Sequence, residues 1–237
     1  NTGGGGIAGG RLLFLRGGVE RVFLAGDYEK MTPDAREETR RLSECGVKLE
    51  SFSQDAAEAL AWIRSCQVLV DALLGVGLSR PVAPGSAYEA AIALMNGSSV
   101  PVLAVDIPSG VDADTGRVLG CAVKAVKTVT FTLPKIGHFV GEGTMYAGQV
   151  DVAQIGIPDA LVRALACPVQ TVDRVYAGAV LPPRRADGHK GTFGKVLIVG
   201  GAVGYSGAPY LAAEAAGRTG CGRGFRGGRE SLWPVEA

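Results

Sequence analysis

Four residues that could do chemistry stand close together in Val105-Asp106-Ile107-Pro108-Ser109-Gly110-Val111-Asp112-Ala113-Asp114-Thr115-Gly116, directly after the apolar run Val100 to Val105. A buried strand that runs into a dense polar loop is where open α/β sheets place ligands. Proline fixes one dihedral and glycine permits positive φ, so the polar groups can be aimed. Asp106 falls at the strand end. A partly desolvated carboxyl there is expected to have a raised pKa and to act as acid or base. Carboxylate, hydroxyl and backbone oxygens could also hold a hard cation. The plainer alternative is a capping network, and Asp112 and Asp114 are read that way, as turn caps.

Three other stretches carry similar potential. Asp71-Ala72-Leu73-Leu74-Gly75-Val76-Gly77-Leu78-Ser79-Arg80-Pro81 ends a second apolar run. Gly75 and Gly77 would let backbone approach a ligand, and Arg80 could pair with a phosphate bidentately, unless this is an ordinary strand-to-helix loop with a solvent-facing arginine. Asn1 to Gly6 leads into a helix over Ala8 to Leu15. A glycine-rich turn at a helix start can cradle a phosphate with its N–H groups; a loose terminus is the alternative. Thr128 to Gly143 reads as a strand followed by Pro134-Lys135 and a glycine loop. Lys135 would meet a phosphate or the substrate, or be merely solvated, and His138 is read as structural.

The elements that must position these residues alternate. Arg11 to Arg16 continues the first helix, and Val22 to Ala25 is a short strand. Thr32-Pro33 starts a helix with Thr as N-cap and Pro in the first turn; it runs to about Cys45 and stops at Gly46. Val47 to Phe52 alternates like a strand, and Ser53 caps a helix through Ser65. Gln67 to Leu74 is a strand, Ser86 to Met95 a helix ended by Asn96-Gly97, and Val126 to Thr132 and Gln149 to Ala153 are later strands. Such alternation predicts βαβ units around a parallel sheet. Residues 165–190 are turn-rich and polar. Beyond them a strand over Val196 to Val199 and a helix from about Ala208 to Arg218 open a second unit.

Bulk properties narrow the function classes. Apolar residues make up 47 % of the 237, and no run approaches the roughly 18 needed for a membrane helix. Lys and Arg number 24 against 23 Asp and Glu, which gives no electrostatic reason to expect nucleic acid or a membrane as partner. Five scattered cysteines without CxxC spacing argue against a disulfide framework or zinc site and fit a reducing cytoplasm. The two histidines, His138 and His189, lie far apart, and no triad pattern is present. A homo-oligomer is allowed by these properties. The glycine-rich opening and the Gly/Arg-rich run Gly222 to Arg229 are expected to mark a piece of a longer chain.

The phrases DALLGVGLSRPV, VDIPSGVDADTG and TVTFTLPKIGHFVGEG, in this order, resemble NAD(P)H-hydrate epimerase over roughly residues 1–160. From about residue 187, HKGTFGKVLIVGG and GYSGAPYLAAEAA resemble the opening of an ADP-dependent NAD(P)H-hydrate dehydratase domain. The resemblance is thus to a bifunctional NAD(P)H-hydrate repair family. It implies an α/β, Rossmann-like three-layer α/β/α sandwich with a mostly parallel sheet over 1–165, a linker over 166–186, and the incomplete start of a ribokinase-like α/β domain over 187–237. It implies epimerisation of the R and S forms of hydrated NADH or NADPH at the hydrated ring carbon, with a bound potassium ion. The dehydratase half of a full-length parent would use ADP to remove water from the S form, but its later ADP-binding motifs are absent from this chain, so no dehydratase activity is expected.

Carried over by motif, Thr2, Asp71 and Ser109 are the implied potassium ligands. Gly75, Val76, Gly77, Leu78, Ser79, Arg80 and Pro81 would wrap the substrate's phosphates, and Asn1, Thr2, Gly3, Gly4 and Gly5 would contact it from the first loop. Asp106 would contact substrate and is the candidate acid or base; Ala208 falls at a contact position of the dehydratase half. The family's first loop reads Asn-Asn-Gly-Gly-Asp-Gly, so Thr2 replaces an asparagine and Gly5 an aspartate. The family's strand and helix before this loop have no counterpart here, and loss of a central parallel strand would expose apolar faces on its neighbours. A short out-of-frame stretch would account for Arg223 to Arg229 before Glu230-Ser231-Leu232-Trp233-Pro234-Val235 resembles the family again. Two alternatives stand beside the enzyme: a non-catalytic binding or interaction module of the same fold, and an inactive gene fragment.

Overall fold

In a computed structural model, residues 2–18, 21–52, 62–165, 167, 169–181 and 183–228 are described. Helix α1 spans Thr2–Leu15 and precedes strand β1, Val22–Leu24. Helix α2, Pro33–Glu44, is capped by Thr32, whose hydroxyl accepts from the Ala35 amide, and the chain turns away through Gly46 at φ 89°. Strand β2, Leu49–Ser51, pairs in parallel with β1. The helix expected from Ser53 falls mostly outside the described residues.

Strands β3 (Leu69–Asp71), β4 (Val102–Val105), β5 (Lys127–Phe131) and β6 (Gln149–Ala153) form a parallel sheet in that order. Helix α3, Ala87–Gly97, crosses from β3 to β4, with the Ser86 hydroxyl accepting from the Glu89 amide. Short helices α4 (Gly143–Tyr146) and α5 (Asp159–Ala164) flank β6. Apolar side chains explain this packing. Ile92 on α3 meets Val82, Val102 and Val123, while Ile7, Ala35, Leu42 and Val47 close α1 onto α2. In β5 the buried positions are Thr128 and Thr130 rather than aliphatic residues. Their hydroxyls are satisfied, Thr128 donating to the Ala147 carbonyl at 2.6 Å and Thr130 to the Asp106 carboxylate at 3.0 Å.

The alternation of strands and helices read in the sequence is the observed parallel α/β architecture, but the strands are not one sheet: among the described residues β1 and β2 pair apart from β3 to β6. Val68 and Val70, beside and on the outer strand β3, stay 47 % and 40 % exposed. The stretch expected to open as a glycine loop is also different. Helix α1 begins at Thr2, so Gly3 to Gly6 lie inside the helix.

The chain divides into two compact units, residues 1–169 and 170–237. In the second, helix α6 (Arg174–Val180) occupies part of what the sequence presents as linker, held by Asp173, whose carboxylate accepts from the Tyr176 amide. Strand β7 (Lys195–Val199), helix α7 (Gly207–Thr219) and strand β8 (Arg223–Gly227) follow, with β7 and β8 parallel. Arg223–Gly227 of the Gly/Arg run therefore folds as a strand, since backbone pairing with β7 does not depend on side-chain type.

Candidate active site

The polar loops meet at the carboxyl ends of β3, β4 and β5. Asp71, the last residue of β3, is fully buried. Its carboxylate accepts from the Ser109 amide at 2.7 Å, the Ser109 hydroxyl at 2.6 Å and the Leu73 amide at 3.2 Å. The Ser109 hydroxyl in turn accepts from the Leu74 amide at 2.8 Å. One aspartate and one serine thus tie the start of the Gly75 to Pro81 loop to the loop after β4. Burial pushes the Asp71 carboxyl above its ordinary pKa, against the pull of the Ser109 and Leu73 donors. Gly75 to Arg80 lie at or near the surface, and the loop is pinned at its far end by the Val82 amide on the Leu119 carbonyl at 3.0 Å.

Asp106 follows β4 with φ at 70°, a left-handed conformation rare for a residue with a side chain. Its amide donates to the Val129 carbonyl at 2.7 Å. Its carboxylate is ion-paired with Lys135 and accepts from Thr130 and, at 3.2 Å, from the Phe131 amide. Burial pushes this carboxyl up, but the Lys135 hydrogen bond and charge, with the Phe131 and Thr130 donors, outweigh it, so the pKa lies below the ordinary value. The sequence expectation of a raised pKa is corrected here: next to an ammonium the ionised form is favoured. At neutral pH Asp106 is a carboxylate, equipped to accept a proton.

The Lys135 ammonium also reaches the Thr130 hydroxyl at 2.9 Å and the Phe131 and Leu133 carbonyls at 3.3 Å. The sequence offered Lys135 as a contact to phosphate or substrate or as a solvated side chain, and did not offer the pairing with Asp106. The available signal was its place four residues after the end of a strand adjacent to the one carrying Asp106, which only strand pairing turns into proximity. A cleft of about 720 Å³ opens beside the pair, lined by Phe131, Leu133, Lys135 and Ile136 on one side and Ile157, Leu161 and Leu165 on the other. Asp112 caps its turn, accepting from the Thr115 amide at 2.7 Å. Asp114 gives its amide, not its carboxylate, to that turn and lies along the cleft.

The other expected residues are distributed unevenly. Gly5 faces the end of β4: a Cβ built on it would lie 3.7 Å from Val105 Cγ1. Gly5 therefore approaches the end of β4 from the first part of the helix, to which Gly3 and Gly4 also belong. Asn1 and the Thr2 side chain lie outside the described residues. Ala208 is on α7 in the second unit. The potassium implied by the sequence can be tested against Asp71 and Ser109. A carboxyl group with no exposure, whose described partners are all neutral donors, has no compensating charge beside it when it is ionised. Ser109 keeps one acceptor lone pair free of described bonds, and both residues offer hard oxygens, as an alkali cation prefers. The residues present fit such an ion.

The description "YjeF-related protein N-terminus" matches residues 1–137. A bifunctional NAD(P)H-hydrate repair enzyme of Thermofilum pendens is 41 % identical over 215 residues, 90 % of this chain and 40 % of its own length. That of Moorella thermoacetica is 39 % identical over 94 % of this chain and 42 % of its own length. A bifunctional NAD(P)H-hydrate repair enzyme of Leishmania infantum is 41 % identical over 65 % of this chain and 28 % of its own. The chain thus spans about 40 % of the length of the first two relatives. The crystal structure of yeast ynu0, YNL200c, has the same fold, with TM-score 0.57 and 22 % identity over 73 % of this chain and 70 % of that one.

Proposed function

The chain belongs to the YjeF-related N-terminal family, and from that premise we propose that its first unit is an NAD(P)H-hydrate epimerase that interconverts the R and S forms of hydrated NADH or NADPH. The observation that carries this reading is the Asp106–Lys135 pair at the carboxyl end of the sheet. The hydrated ring carbon bears a hydroxyl and the ring nitrogen; it inverts when the hydroxyl loses its proton and becomes a carbonyl as the carbon–nitrogen bond breaks, the nitrogen receives a proton in turn, and the ring closes again on the other face. The Asp106 carboxylate takes that proton and gives it back, and the Lys135 ammonium beside it steadies negative charge on the reacting oxygen. The apolar cleft beside the pair takes the ring end of the substrate and keeps water away from it. The first turn of α1, with its unpaired amides and positive dipole end, and the Gly75 to Pro81 loop take the phosphates.

A potassium ion held by Asp71 and Ser109, with Thr2 as a third ligand, would supply a fixed positive charge that offsets the buried carboxylate near those phosphates. ADP would serve a dehydratase half and is given no part in the reaction of this unit. The substrate is a small molecule; the balanced charge gives no electrostatic reason to expect nucleic acid or a membrane as partner, and among the described residues no helix is long and apolar enough to cross a membrane. All five cysteines are free thiols, which suits a reducing cytoplasm.

A second reading, a binding module without turnover, is favoured by one observation: Gly5 stands where the family pattern has an aspartate. The test is to supply the R-form hydrate in potassium salts and follow the R-to-S ratio by chromatography. Approach to a mixture of epimers supports the enzyme. Tight binding with an unchanged ratio supports the module and contradicts the epimerase.

A further inference from the structure

The mechanism above uses Asp106 and Lys135 but not the imidazole that touches the backbone of both. His138 is 2 % exposed and sits in the short turn Ile136–His138 that follows Lys135. Its Nε2 lies 3.0 Å from the Asp106 carbonyl, and its Nδ1 accepts from the Lys135 amide at 3.2 Å. A carbonyl only accepts and an amide only donates, so the two partners fix one tautomer: neutral, with the proton on Nε2. Burial favours the same neutral form, holding the imidazole below its ordinary pKa. The turn itself is docked on the acidic loop, the Gly137 amide donating to the Ala113 carbonyl at 2.7 Å.

We propose that His138 is a positioning residue of the site, whose Nε2–H tautomer clamps the Asp106 carbonyl to the Lys135 amide and so sets the carboxylate and ammonium at one fixed separation. The inference rests on the epimerase reading for its kinetic consequence and on geometry for the rest. Two features require such a clamp. Asp106 is held in a left-handed backbone conformation, which relaxes unless its surroundings over-determine it. Lys135 carries its charge on a flexible four-carbon stem, so its backbone must be fixed before its ammonium can be. Without the imidazole, a buried carbonyl and a part-buried amide lose their partners together.

The experiment compares His138→Phe, which keeps ring volume without hydrogen bonds, with His138→Gln, which keeps an N–H near the Nε2 position. Both are made in the full chain and checked for folding by thermal melting. His138→Phe is expected to lower kcat about 10- to 100-fold with KM within about threefold, as a small misplacement of reacting groups does, and His138→Gln to recover part of the loss. Nitrogen-15 spectra of the wild type are expected to show a neutral Nε2–H imidazole, and the Asp106 carboxyl carbon-13 shift is expected to move in His138→Phe. A folded His138→Phe protein with wild-type kcat, or an Nδ1–H imidazole, overturns the proposal. If the wild type itself fails to epimerise, the functional reading falls, and the spectra alone decide the clamp: an Nε2–H imidazole with a moved Asp106 shift supports it, while an Nδ1–H imidazole or an unmoved shift overturns it.

Discussion

Asp106 gathers an ammonium, a hydroxyl and an amide around one carboxylate. Its position at a strand end and its polar neighbours in the chain were readable from residue order. Its charge state was not, because Lys135 is 29 residues away and only the pairing of β4 with β5 brings the two together. The sequence reading weighed burial alone and arrived at the wrong sign. The sign now has a consequence. Because the folded carboxyl lies below its unfolded value, the folded state binds fewer protons there than the unfolded state does. The stabilisation is complete above the ordinary carboxylate range, near pH 4, and is lost as pH falls through the folded value. Urea unfolding of the wild type should therefore weaken on acidification below about pH 4, and the Asp106→Asn variant should show a smaller acid loss. Equal slopes would mean that the pair is not formed. Gly5 gives a second prediction at this scale. A Cβ there meets only Val105 at ordinary contact distance, so Gly5→Asp should fold normally and raise epimerase turnover several-fold; unchanged turnover in a folded variant would show that the missing carboxylate has no part in the reaction.

Among the elements, α1 departs furthest from what its sequence suggests. It holds six glycines, each about 1 kcal/mol less favourable than alanine in a helix, which is why the stretch reads as a loop. Tertiary packing outweighs that cost. A Cβ on Gly6 would lie 2.4 Å from the Ala72 Cβ, and one on Gly10 would lie 2.7 Å from Val22, so two glycines four apart let the helix backbone approach the strand ends closely. The i, i+4 spacing of those glycines was the readable signal. Gly9 faces open space. Denaturant melts should therefore separate the two kinds of site: Gly9→Ala stabilises by about 1 kcal/mol, and Gly6→Ala destabilises by about 1–3 kcal/mol. Stabilisation by both would mean that the close approach is absent. The helix over Pro33–Glu44 and the strand over Gln149–Ala153 needed no such override, since their caps, alternation and turn residues agree with the fold around them.

Over the whole molecule, order and burial are concentrated in the first unit. Beta-strands β4 and β5 carry fully buried side chains, among them Ala104, Thr128 and Thr130, whereas Leu197 and Val199 on β7 are 67 % and 77 % exposed. Amide hydrogen exchange should thus be slowest in β4 and β5 and much faster in β7 and β8, because local opening follows the buried contacts an element would lose. Comparable protection in both would show that β7 is covered. The sequence marks two units through its turn-rich middle, but it gives no sign that β1 and β2 pair apart from β3 to β6, because strand adjacency is set by contacts between distant segments. In the proposed reaction a carboxylate at the end of β4 carries the proton. The most direct test of this role is the rate at which R-form hydrate equilibrates with the S form in the wild type and in Asp106→Asn, with thermal melting to show that the variant is folded. Equilibration by the wild type and a loss of at least about 100-fold in the folded variant are expected; equal rates in the two proteins would remove Asp106 from the reaction.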